Sequence, residues 1–344
     1  KDLKMLGGEV QIDRANEKTG GNIGNVYAYF PGNINKDPIL FCAHMDTVHP
    51  GNNIKPIISA DRITSDGTTI LGSDDKSGIA QIIWAIRVIK ENKIEHAPIE
   101  VLFTISEEIG LLGAKYLDYS IIKSKLGYAL DSHTTCEIVV AAPSQIDMKY
   151  TIHGKEAHAG VNPAKGLNVI KIAADAISKM PSGRIDKETT CNIGIIKGGK
   201  ATNIVPNLII IEAEARSHNQ NTLHELVDSM SNILRDTVKK YKVGDFQAKV
   251  DIKIEESYEA FHFKHDSPVV QLAIQTNNNL GIPAKISIGG GGSDANIFNK
   301  KGLSVAVIGT GMRKVHTLDE YILISDLELG AKWVEEVIKI YSKN

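Results

Sequence analysis

Residues 39–51 read ILFCAHMDTVHPG. Five apolar residues, 39–43, suit a buried strand, and the run stops abruptly at His44-Met45-Asp46. An imidazole and a carboxylate are costly to bury unless they are paired or bound. His-x-Asp at a strand end is therefore either a structural hydrogen-bonded pair or a metal ligand with the carboxylate that orients it. The rest of the chain bears on that choice.

Short apolar runs at residues 99–105 and 128–130 read as further buried strands. Between the first two, residues 77–90 place Ile79, Ile82, Ile83, Ile86 and Ile89 on one helical stripe. The same style returns late, with a helix near 267–280, a strand near 304–308 and a helix over 325–341. Alternating strands and helices predict an α/β fold with a mainly parallel sheet. The middle differs. Residues 146–152, 190–196, 208–215 and 247–254 read as strands, with helices near 166–180 and 222–241. Ile209, Ile211, Ala213 and Ala215 share one face of the third strand, and Val250, Ile252 and Ile254 one face of the fourth. The order βαββαβ is the split βαβ, or ferredoxin-like, arrangement, and one polar face per strand predicts helices on one side only. The expected organisation is discontinuous: residues 1–143 and 257–344 form one domain, and residues 144–256 a smaller inserted one.

The 344 residues carry a formal charge of −2, with 42% hydrophobic and 23% charged residues. That balance offers no polybasic surface for nucleic acid or lipid. No apolar run approaches the roughly 18 residues of a membrane span. Cys42, Cys136 and Cys191 are scattered singly, which predicts buried thiols in a reducing, cytoplasmic setting rather than disulfides. A metal here would need His, Asp and Glu.

Those residues sit where the strands end. His44 and Asp46 follow the first; Asp74-Asp75 precede the helix at 77; Glu107-Glu108 follow residues 99–105; Asp131 follows 128–130; His316 follows the late strand. Each has an ordinary explanation alone: a helix N-cap for Asp74 or Asp75, a solvated loop for Glu107-Glu108, a turn for Asp131, a surface or core histidine for His316. Together, carboxylates converging at one sheet edge would repel and raise one another's pKa. A pair of divalent cations removes the conflict, and two histidines with several carboxylates suit zinc. Of two adjacent glutamates, one can bind metal while the other serves as a general base, the chemistry of amide hydrolysis.

The strings AHMDTV, LGSDDKSGIA, TISEEIGLLGA, ALDSH, GKEAHAGVNPAKG, GGKATNIVPN, GGGGSDANIFNKKG and MRKVHTLDE, in order from residue 43 to 320, resemble the M20 family of metallopeptidases, most of all its peptidase T (tripeptide aminopeptidase) branch. The resemblance implies a zinc-exopeptidase-type sheet with helices on both faces and a lid and dimerisation role for the inserted domain. It implies two Zn2+, replaceable by Mn2+ or Co2+. His44 would bind one ion and His316 the other, with Asp74 bridging and a cis peptide after it, and Glu108 and Asp131 would complete one site each. Glu107 would be the general base, and Asp46 would hydrogen-bond the His44 ring. His158 would reach across a homodimer to polarise the scissile carbonyl. Asn203, Arg216 and the loop Gly291, Gly292, Ser293 would face a short peptide substrate. Glycines in that run would let the backbone approach the substrate closely.

Two departures stand out. The branch carries an arginine just before its Gly-Gly-Thr-Asp string, where this chain has Gly290. The family's first helices are expected ahead of Lys1. The expected function is removal of the N-terminal residue from short peptides. A dipeptidase, carboxypeptidase or N-acyl amino-acid deacylase of the same fold is the nearest alternative, and a non-catalytic binding module is the remote one.

Overall fold

The computed structural model describes residues 1–343. The chain divides into two compact units, Lys1–Ala142 together with the segment from Phe261 onward, and Pro143–Ala260.

The first unit is built on a nine-stranded mixed sheet. Across it the strands run Glu9–Ile12, Val26–Phe30, Ile99–Thr104, Ile39–His44, Leu126–Ser132, Ser304–Gly309, Ile138–Ala142 and Phe261–His262, with Ile286–Ile288 also paired to Ile138–Ala142. The four strands from Ile99–Thr104 to Ser304–Gly309 are parallel neighbours. Most of the flanking strands are antiparallel, so the parallel character belongs to the centre. Ile39–His44 and Ile99–Thr104 are buried at every position, as strands covered on both faces must be. One face packs on helices Ser73–Glu91, Pro268–Asn279 and Ile324–Lys343 through Ile82, Ile86, Val270, Trp333 and Val337. Trp333 is held there by its indole N–H to Asn277 Oδ1 at 2.7 Å and by an edge contact with Tyr128. Helix Asp294–Lys300 packs on the other face, with Phe298 fully buried.

The second unit is an antiparallel five-stranded sheet ordered Gly183–Arg184, Thr189–Gly198, Leu208–Ser217, Ser144–His153, Lys249–Tyr258. Helices Val169–Ile177 and Gln220–Val238 bury one face around Tyr150, Ile172, Ile211 and Met230. The long elements follow the order strand, helix, strand, strand, helix, strand. Alternation along Ser144–His153 and Leu208–Ser217 leaves the opposite face polar, with Lys149 and Glu212 paired on it at 3.1 Å. Among the described residues no helix is long and apolar enough to cross a membrane.

Candidate metal centre

The parallel strands deliver their carboxyl ends to one edge, where ligands gather in open α/β sheets. His44 is the last residue of its strand and 2% exposed. Its main-chain N–H donates to Asp75 Oδ2 at 3.1 Å, and Met45 N donates to the Thr104 carbonyl, so the turn after the strand is pinned. Asp74 lies at the start of helix Ser73–Glu91 but is not helical (φ −83°, ψ 104°), and the Asp74–Asp75 peptide is cis. Glu107 and Glu108 follow Ile99–Thr104, Asp131 lies within Leu126–Ser132, and His316 sits at φ +63° between strands Met312–Arg313 and Tyr321–Leu323.

These side chains meet. His44 Nε2 is 3.0 Å from Asp74 Oδ1 and 4.0 Å from Asp131 Oδ1. His316 Nε2 is 3.1 Å from both Asp74 Oδ2 and Glu108 Oε1. His44, Asp74 and Asp131 thus form one group able to hold a metal ion, and Asp74, Glu108 and His316 another, with ligand atoms within 4.8 Å in each. Asp74 belongs to both, one oxygen turned to each histidine. Two ligands on a tetrahedral zinc sit about 3.3 Å apart for bonds of ~2.0–2.1 Å, close to the separations here. The donors, imidazole and carboxylate only, fit two borderline divalent cations.

The electrostatics point the same way. Burial, with Asp131 beside it, pushes the Glu107 carboxyl well up. Burial does the same to Asp131, where the neighbouring Asp74 adds to it against the pull of His44. Burial and Asp74 raise Glu108. Asp294 is pushed up to about 6 by burial; its Oδ2 accepts from Thr104 Oγ1 at 2.5 Å, and its buried Oδ1 has no partner among the described residues. Hydrogen bonding to Asp74 raises His316 to about 9. His44 is raised although burial opposes it, because the Asp46 and Asp74 carboxylates outweigh that cost. Asp74 is lowered, against its burial, by the two histidines. With all its carboxyls ionised the cluster would carry more negative charge than its two histidines balance, which is the condition a bound cation relieves.

Asp46 departs from expectation. The His44 Nδ1 bond goes to the Asp46 main-chain oxygen at 3.0 Å, while the carboxylate stands at 3.6 Å. That carboxylate instead accepts from the Glu107 and Glu108 amides at 3.0 and 3.2 Å. Two main-chain donors can satisfy both oxygens at once, and one ring nitrogen cannot. Asp46 therefore ties the di-glutamate loop to the His44 turn. Two further carboxylates have roles the sequence reading did not assign: Asp75, fully buried and accepting from His44 N, and Glu320, buried against residues 71–74. Both lie inside the quoted strings, but their partners are mostly main-chain donors that no spacing reveals.

The Gly291-Gly292-Ser293 bend leads into helix Asp294–Lys300. Ser293 is buried and committed to the helix cap: its amide donates to Asn296 Oδ1 at 3.0 Å and its hydroxyl accepts from Ala295 N at 3.3 Å. Both cap bonds leave the Ser293 hydroxyl proton available to donate.

Within Pro143–Ala260, His158 is exposed on the short strand Ala157–His158, paired with Ile204–Val205. Its Nδ1 accepts from the Gly160 and Val161 amides at 3.1 and 3.2 Å, which leaves the ring proton on Nε2. Asn203 is exposed, and its carbonyl accepts from Ala159 N at 2.9 Å. Arg216 is half-buried and pairs with Glu214 at 2.8 Å on its own strand.

Residues 40–340 match the family described as peptidase family M20/M25/M40. An uncharacterized protein, YqjE, of Bacillus subtilis (strain 168) is 41% identical over 339 residues, 98% of this chain and 90% of that protein. The crystal structure of a tripeptidase from Staphylococcus aureus superposes with a TM-score of 0.92 at 39% identity, covering 100% of this chain and 91% of the other. That of aminopeptidase PepT from Bacillus cereus gives 0.86 at 43% identity, covering 98% and 90%.

Proposed function

The chain belongs to peptidase family M20/M25/M40 and is a peptide hydrolase, and from that premise we propose a dinuclear zinc exopeptidase that removes the N-terminal residue of short peptides. The observation that carries the proposal is Asp74, whose two oxygens each lie against a different histidine. His44, Asp74 and Asp131 would hold one ion, and Asp74, Glu108 and His316 the other. When bound, such ions supply a more acidic water and an electrophilic pull on the scissile carbonyl.

The chain's own groups do the rest. Glu107, raised by burial, is suited to take a proton near neutral pH and return it to the leaving amine. The Asp46 carboxylate fixes the loop that presents it. His158, with its proton on Nε2, is ready to donate to a carbonyl oxygen as negative charge develops there. We assign it to the active site of a partner subunit in a homodimer. The edge strand Thr189–Gly198 supports that assembly, because Gly183–Arg184 covers only residues 190–191 and leaves Ile195 and Ile196 exposed. Asn203, Arg216 and the bend at Gly291 and Gly292 would contact the peptide. Buried free thiols at Cys42, Cys136 and Cys191 support a cytoplasmic setting.

One experiment tests the reading. A single tripeptide is offered free, N-acetylated and C-amidated, with and without chelator, and the products are weighed by mass spectrometry. Cleavage at the first bond of forms with a free amine, abolished by chelator, is expected. Cleavage of the acetylated form would move the assignment to a carboxypeptidase or deacylase.

A further inference from the structure

The loop that carries His316 also reaches back into the protein. Four residues on, Glu320 is 1% exposed. Its Oε2 accepts from the main-chain N–H of Leu71 and of Gly72, both at 2.8 Å. Its Oε1 accepts from Ser73 Oγ at 2.6 Å and from Asp74 N at 3.1 Å. The donors are four consecutive residues, and the last is the carboxylate shared by both groups of ligands. Glu320 N in turn donates to the Thr317 carbonyl at 3.2 Å, closing a tight turn directly after His316. Helix Ser73–Glu91 begins at Gly72, which has no side chain to cap it. Glu320 supplies that acceptor from about 250 positions away, with the sign of charge a helix start favours.

Resting on the dinuclear reading above, we infer that Glu320 is a positioning residue that sets the spacing between His316 and Asp74. His316 needs such a brace. Its side chain is about half exposed and its backbone lies in the left-handed region, so its own loop holds it weakly. Glu320 binds that loop to the segment that presents Asp74, so the two ligands keep the 3.1 Å separation one ion requires.

A control exists in the same unit. Glu100 is also fully buried and also accepts four hydrogen bonds, from Tyr27 OH, Lys123 N, Ser124 N and Ser124 Oγ. None of those donors belongs to a ligand segment. Glu320→Gln and Glu100→Gln should both lower the melting temperature, because each turns an amide NH2 toward existing donors. Only Glu320→Gln should alter metal binding. Titrating chelator-treated protein with Co2+, followed by visible absorption and calorimetry, should give two ions in wild type and in Glu100→Gln. In Glu320→Gln one ion should bind as before, and the other ~10–100-fold more weakly with a changed spectrum, the range for groups that orient ligands. Ser73→Ala, which deletes one donor and spares the core, should weaken the same ion a few-fold and serves should Glu320→Gln not fold. Two ions in wild type with unaltered affinity and spectrum in both Glu320→Gln and Ser73→Ala would overturn the assignment of Glu320 alone. Fewer than two ions in wild type would overturn the dinuclear reading, and the assignment with it.

Discussion

The two units hold their notable residues in opposite ways. In the sheet unit, His44 is almost wholly buried, bonded at both ring nitrogens, and its neighbours Asp74, Asp131 and Glu107 crowd carboxyl groups around it. Between Pro143 and Ala260, His158 and Asn203 are exposed, and Arg216 bonds to its own strand neighbour. The first set is assembled within its unit and strained by charge, so it calls for cations. The second set is presented rather than enclosed, so its work must come from something that arrives: substrate or a second copy. A buried cluster can be judged from its own distances. A presented residue has to be judged by perturbation.

The contrast ranks the perturbations. Asp74→Ala removes the one residue common to both ligand groups and should abolish chelator-sensitive hydrolysis, with bound metal measured by mass spectrometry falling below one ion per chain. A variant that keeps two ions would break the picture of a shared ligand. Glu107→Gln should keep both ions and lose at least ~100-fold in kcat, the scale of a general base. Near-normal turnover would remove Glu107 from that role.

His158→Ala should cost ~10²–10³ in kcat with metal content unchanged, as loss of an oxyanion donor does. If His158 acts in the partner's site, mixing inactive Glu107→Gln with inactive His158→Ala chains should recover activity that neither parent has. No recovery after verified subunit exchange would return His158 to its own subunit.

A smaller effect concerns pH. In the metal-free protein, burial holds Glu107 and Asp131 protonated above the ordinary carboxylate range, and Asp74 holds a proton on His316 up to about 9. The folded state then binds more protons than the unfolded chain. Their contribution to stability is full at low pH and is lost as pH rises, from about 4 upward for the carboxyls and between about 6.5 and 9 for His316. Asp74 and Asp46, both lowered, act oppositely and only below about pH 4. Ligation needs the protons off. The gain in Tm on adding zinc to chelated protein should therefore grow from about pH 5.5 to about pH 8. A flat difference would mean that these groups do not change protonation on binding. Smallest of all, Arg216→Ala breaks a half-exposed pair and should cost no more than ~1 kcal/mol of stability; a marked rise in KM would give it a substrate contact.

Much of the architecture was legible because it rests on local periodicity. The stripe of isoleucines in Ser73–Glu91 and the alternation in Leu208–Ser217 each report which face is buried. The convergence of the candidate ligands was legible because each member sits close to a readable strand end or helix start. What stayed hidden depends on partners distant in sequence or on the main chain. Glu320 is recognisable only once residues 71–74 are beside it. Asp46 sits beside His44 in sequence, yet its oxygens go to amides 61 and 62 positions away. Ser293 looks like any loop serine until Asn296 closes the cap on it.

The interleaving of the large sheet has a consequence for how the molecule is made. Ser304–Gly309 lies between Leu126–Ser132 and Ile138–Ala142, although it is translated roughly 170 residues after the first of them. At ~5–20 residues per second, a ribosome needs on the order of ten to thirty seconds to cover that distance. Through that interval Leu126–Ser132 keeps an open edge, and His44, Asp74 and Asp131 wait without His316. The five-stranded sheet of Pro143–Ala260 is synthesised meanwhile and can close first. A nascent copy at that stage is expected to present an unpaired strand edge.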